Sequence, residues 1–143
     1  MKGYGQKLYQ QTQVATVDKG RLIVLLYEGA IKYLDQAREC LATGDVPGKS
    51  VNINRAVDII AELNQSLNLK DGGEIAGNLR RLYLFWIDHL LQAKTRKDTR
   101  NIEDVIGMMS SLNEAWNQVV SRPEAQEVVP PAEGQSLRAQ ITI

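Results

Sequence analysis

Between Asp18 and Arg122 the chain carries four stretches, each about twenty residues long, in which apolar side chains recur every three to four positions. Glycine or proline marks the joints Gly44-Asp45 and Lys70-Asp71-Gly72-Gly73 and the end at Arg122-Pro123, and the polar run Arg96-Lys97-Asp98 marks the remaining joint. Strands are rarely longer than about ten residues, so segments of this length and period must be helices. Leu, Ala, Gln, Glu, Lys and Arg favour helix throughout, and no alternating β-branched run competes with it. Asp18, Asp45 and Asp98 stand where N-caps belong, and Pro47 falls in a first turn, where its missing N–H costs nothing. These signals predict helices over 18–43, 45–69, 74–96 and 98–121. Joints this short make successive helices antiparallel neighbours, which predicts an all-α, up-down-up-down four-helix bundle.

Three regions follow from this pattern. Residues 1–17 form an expected N-terminal cap segment and 18–122 the bundle. Residues 123–143, rich in Pro and Glu and without aromatic residues or period, read as a mobile, disordered tail. Leu137, Ile141 and Ile143 are isolated apolar residues of a kind that tails commonly carry without a partner. Across 143 residues, 17 Lys and Arg balance 17 Asp and Glu, which leaves no electrostatic footprint for nucleic acid or an anionic membrane. With one cysteine, Cys40, no disulfide framework exists. No stretch reaches the roughly twenty apolar residues that span a bilayer. A soluble, cytoplasmic protein without membrane insertion is the expectation.

The apolar surface is unevenly distributed. The fourth helix has one stripe, Ile102, Val105, Ile106, Met109, Leu112, Trp116, Val119 and Val120, and the second has Ile53, Ala56, Val57, Ile60, Leu63 and Leu67. The third has a core stripe of Ile75, Leu79, Leu82, Trp86, Leu90 and Ala93, flanked by Tyr83 and Phe85. It also carries Leu84, Ile87 and Leu91 at i, i+3 and i+7, expected on nearly the far side from that stripe. In the first, Val24, Tyr27 and Ile31 widen the apolar face beyond what one core stripe requires. A bundle buries about one stripe per helix, so the surplus needs a cover. The N-terminal segment, a second copy in a weak homodimer, or an amphipathic segment of another protein would each serve.

Catalytic and metal chemistry finds few residues to work with. His89 is the only imidazole, there is no paired Glu-x-x-His or Cys-x-x-Cys motif, and Gly72-Gly73 lacks the Lys-Ser/Thr of a phosphate loop. The expectation is a protein without cofactor or metal that is not an enzyme. The alternative is a histidine phosphotransfer bundle using His89 in mid-helix, but His89-Leu90-Leu91-Gln92-Ala93 lacks the Lys-Gly that follows such a histidine. The basic run Lys94–Lys97 sits at a helix C-terminus, where cations complement the macrodipole, and needs no nucleic acid to explain it.

Tyr9-Gln10-Gln11 with Val14, then Leu22–Ala30 containing Leu26-Tyr27-Glu28-Gly29-Ala30, resembles the opening of FliS-type flagellin export chaperones. The likeness continues through Ala56–Ile60, Leu67-Asn68-Leu69, Gly72–Leu79 with Leu82-Tyr83, and closes with Leu90–Ala93, Ile102–Val105 and Ala115-Trp116. The family pattern departs at Leu84–His89, where an Arg is common in place of His89, and at Lys19, where Pro is frequent. The resemblance implies a cytosolic chaperone that binds the disordered C-terminal region of flagellin in a hydrophobic groove. It would prevent premature polymerisation and present flagellin to the gate of the flagellar type III export apparatus. Joined to the surplus stripes, it makes Val24, Tyr27, Ile31, Leu84, Ile87 and Leu91 the expected groove, with Tyr9 and Val14 in a displaceable cap.

Overall fold

The computed structural model describes residues 15–121, with side chains from Lys19 onward. Four helices follow one another: α1 (Ala15–Ala42), α2 (Val46–Gln65), α3 (Leu69–Ala93) and α4 (Arg100–Ser121). They form the antiparallel bundle that the short joints require. Each helix packs on its two chain neighbours, and α1 closes the ring against α4. The α1–α2 pair is the most intimate and α3–α4 the least. The expected cap residues Tyr9 and Val14 and the segment 123–143 lie outside the described residues.

The joints show why the helices end where they do. Gly44 adopts φ 80° after α1, and the Asp45 and Gly44 amides donate to the Cys40 and Leu41 carbonyls at 2.8 and 3.2 Å. This paired closure satisfies two orphaned carbonyls and depends on a left-handed residue that glycine supplies without strain. The Asp45 carboxylate then accepts from the Gly48 amide at 3.0 Å and caps α2, with Pro47 in the first turn as expected. Asp98 accepts from the Arg100 amide at 3.2 Å at the start of α4. The Arg96 guanidinium beside Asp98 holds that carboxyl below its usual range.

Two boundaries correct the sequence reading. The first helix starts at Ala15, so Asp18 lies inside it and does not cap it. The expected turn at Lys70–Gly73 is mostly helical: the Asn68 side chain accepts from the Asp71 amide (3.0 Å) and starts α3 early. Only Gly73, at φ 59° and ψ −135°, interrupts the helix. That region of backbone space is open to glycine and strained for residues with a Cβ.

The core is built from Ile23, Tyr27, Ala30, Leu34 and Ala37 of α1, Ile53, Ala56, Ile60 and Leu63 of α2, Ala76, Leu79, Tyr83, Trp86, Leu90 and Ala93 of α3, and Ile102, Val105, Met109, Trp116 and Val120 of α4. At its centre the Tyr27 ring meets Tyr83, Trp86 and Trp116 edge-on, with centroids 6.2–6.4 Å apart. Aromatic edges aimed at faces are favourable beyond the area they bury. A buried cation ties one end of the bundle: Lys49 Nζ donates to the Arg96 carbonyl at 2.7 Å, beside the C-terminus of α3, where the helix dipole favours positive charge.

Candidate functional site

The two faces of α3 are set by which neighbours its flanks touch. On one flank Lys94 Nζ donates to Asn54 Oδ1 of α2 at 2.9 Å. On the other, His89 Nε2 donates to Asp104 Oδ2 of α4 at 3.1 Å, and Asn101 Nδ2 of α4 donates to the His89 carbonyl at 2.9 Å. At about 100° per residue, Ile87, Leu91 and Leu84 follow Lys94 around the α2 side and then outward. Ile87 is half-buried, while Leu84 and Leu91 remain 46% and 45% exposed. The helix has already filled its core stripe with other residues, so these leucines are surplus in the folded chain.

The α1 members of the expected groove lie elsewhere. Tyr27 is fully buried and Val24 nearly so; both belong to the core, which corrects their assignment to an exposed surface. Ile31 is half-buried on the flank that also carries Arg38, whose guanidinium approaches Glu103 of α4. Val24 and Ile31 therefore face the α1–α4 seam, whereas Leu84, Ile87 and Leu91 face the α2–α3 seam. Because α2 and α4 occupy diagonal corners of the ring, the six residues do not line one groove.

Two further expectations for α3 change. Ile75 and Phe85, read as core and core flank, are exposed, and Ala76 and Tyr83 take the buried positions. Exposed apolar residues that the sequence reading passed over include Leu25 of α1, the most exposed at 62%, and Val51 of α2. Leu25 follows Leu22 by three positions on the side of α1 away from Tyr27 and Leu34. That spacing was the available signal.

His89 is only partly exposed, and its surroundings do not favour phosphorylation. Its Nε2 is engaged by Asp104, and its ring lies against Phe85 with centroids 5.0 Å apart and planes inclined by 22°. Among the described residues, no three His, Cys, Asp or Glu side chains cluster as metal ligands, and no helix is long and apolar enough to cross a membrane. What the arrangement offers is apolar helix surface and no reactive centre.

Known proteins share this pattern along nearly the whole bundle. The family model described as flagellar protein FliS matches residues 1–123. The flagellar secretion chaperone FliS of Salmonella typhimurium is 38% identical over 128 residues, covering 89% of this chain and 94% of the relative. The flagellar secretion chaperone FliSB of Pseudomonas aeruginosa is 35% identical over 119 residues, 83% of this chain and 94% of its own. That of Vibrio cholerae, named FliS, is 32% identical over 114 residues, 80% and 84% respectively. A match of this extent, on a four-helix bundle with spare apolar surface, means that the chain belongs to the FliS family of flagellar proteins.

Proposed function

We propose that this protein is a cytoplasmic chaperone that takes the C-terminal region of flagellin onto its apolar helix surface. It keeps that region from polymerising and delivers it to the flagellar type III export apparatus. Family membership supports the class. The observation that carries the binding mode is the exposure of Leu84 and Leu91 on α3, a helix whose core stripe is already complete.

Flagellin segments that pair with one another in a filament must present apolar stripes, and a helix face of matching character covers them without ATP. Burying about 400 Å² of apolar surface at roughly 25 cal/mol per Å² yields about 10 kcal/mol gross, from which ordering a disordered segment removes several kcal/mol. Such a complex is stable in the cytoplasm yet open to competition at the export gate. With Val24 and Tyr27 assigned to the core, the docking surface reduces to Leu84, Ile87 and Leu91 on the α2–α3 side.

The test is co-expression of the full chain with a flagellin C-terminal fragment, followed by size-exclusion chromatography. A co-eluting complex is expected. The Leu84→Asp/Leu91→Asp variant loses it while its helical circular dichroism stays unchanged, because neither side chain contributes to the core. Undiminished co-elution of that variant would show that this face of α3 is not the site.

A further inference from the structure

Beside the loosest seam of the bundle, between α3 and α4, a shallow and widely open cleft of about 660 Å³ runs along α4, lined by Glu103, Asp104, Gly107, Met108, Ser111 and Leu112, with Leu82 of α3 at its edge. It lies on the flank of α3 opposite Lys94, so it is separate from the Leu84–Leu91 surface. Its lining is mostly apolar, and Gly107 is exposed on it, where an added Cβ would meet no atom within 4 Å. Glu103 and Asp104, both largely exposed, make one end acidic.

The chain leaves α4 at Ser121, on the helix that forms one wall of this cleft. From there back to Gly107 is about 21 Å at 1.5 Å per residue. Residues 122–137 reach about 50 Å when extended, more than twice what the return requires. The composition of 122–143 is also divided in two. Its acids, Glu124, Glu127 and Glu133, all precede Gly134; beyond it the only charged side chain is Arg138, among Leu137, Ile141 and Ile143. An apolar segment with a single cation matches an apolar cleft with an acidic end, whereas the Glu-bearing stretch before it would be repelled there.

We propose that the α3–α4 cleft is the docking site of this chain's own residues 134–143, with Leu137 and Ile141 seated against Leu82, Met108 and Leu112 and with Arg138 directed to Glu103 and Asp104. The family model ends at residue 123, ahead of the proposed occupant. The inference does not depend on flagellin binding and is tested without flagellin.

The experiment uses the isotope-labelled full chain carrying Cys40→Ser and Gln140→Cys, with a nitroxide on the introduced thiol, and reads paramagnetic broadening of backbone amides. Expected is loss of most of the signal intensity at Gly107, Met108 and Ser111, restored when Leu137→Asp and Ile141→Asp are added. Intact intensities at the cleft would overturn the proposal, as would broadening confined to the Leu84–Leu91 face. Mixing spin-labelled, isotope-free chain with labelled, diamagnetic chain separates self-docking from pairing. Cleft broadening in the mixture would assign the occupant to a second copy and refute docking within one molecule.

Discussion

The hydroxyl oxygens of Tyr27 and Tyr83 lie 2.8 Å apart in the middle of the bundle, 56 residues distant in sequence. Each hydroxyl satisfies the other inside an aromatic cluster, so two polar groups are buried at low cost. Removing one strands its partner, whereas removing both leaves two rings that still pack. Tyr27→Phe or Tyr83→Phe alone is expected to cost about 1–3 kcal/mol of unfolding free energy. The double substitution should cost less than the sum of the two. Urea unfolding of the four proteins completes the cycle, and strict additivity would show that the hydroxyls are not coupled.

The same pair sets an alkaline limit. Burial pushes the Tyr27 phenol up to about 12 and raises Tyr83 further. Below pH 10 both phenols are protonated in the folded and unfolded chain alike, and stability is complete. Above pH 10 the unfolded chain loses these protons first, so stability falls as pH rises towards 12, by about 1.4 kcal/mol per pH unit for each phenol. Urea midpoints between pH 9 and 11.5 should trace this decline, and Tyr27→Phe should make it shallower.

Gly73 and Gly77 should respond in opposite directions to alanine. At neither does an added Cβ meet an atom within 4 Å, so the difference is one of backbone alone. Gly73→Ala forces a side chain into φ 59° and ψ −135° and is expected to destabilise by about 1–3 kcal/mol. Gly77→Ala sits in regular helix and is expected to stabilise by about 0.5–1 kcal/mol. Thermal melts of the two variants against the parent chain decide both.

Lys49 is buried, and its amine is held by the Arg96 carbonyl. Lys49→Ala leaves that carbonyl without its donor and opens space beneath the α3–α4 joint. A loss of about 1–3 kcal/mol is expected, with amide exchange quickening first at residues 94–100. Protection unchanged there would mean that the joint is held by other contacts.

His89 should take up no phosphate. Incubating the chain with acetyl phosphate is expected to give no acid-labile phosphoryl group, since Nε2 is occupied by Asp104 and the ring is flanked by Phe85. Labelling that disappears in His89→Gln would reverse this assignment.

Helix number, joints and bundle order were legible because they depend on local chemistry: a periodic apolar pattern, Asp45 and Asp98 at caps, Gly44 at a stop. The flanks of α3 were not. Hydropathy ranks Ile75 and Phe85 above Ala76 and Tyr83, yet close helix packing selects a small residue at 76, and Tyr83 is admitted because Tyr27 satisfies its hydroxyl. A partner 56 residues away leaves no periodic trace. Splitting the expected groove was equally out of reach. Periodicity reveals that Val24 and Ile87 exceed one stripe, but the side on which each helix meets its neighbours is decided by how the ring closes.

Both indoles of the chain, Trp86 and Trp116, surround Tyr27 and are almost wholly shielded from solvent. Intrinsic fluorescence therefore monitors the molecule's interior. A ligand settling on Leu84 and Leu91 would leave the emission spectrum nearly silent, and titrations that rely on it would score a true binder as inert; a dye or calorimeter is the instrument suited to this surface.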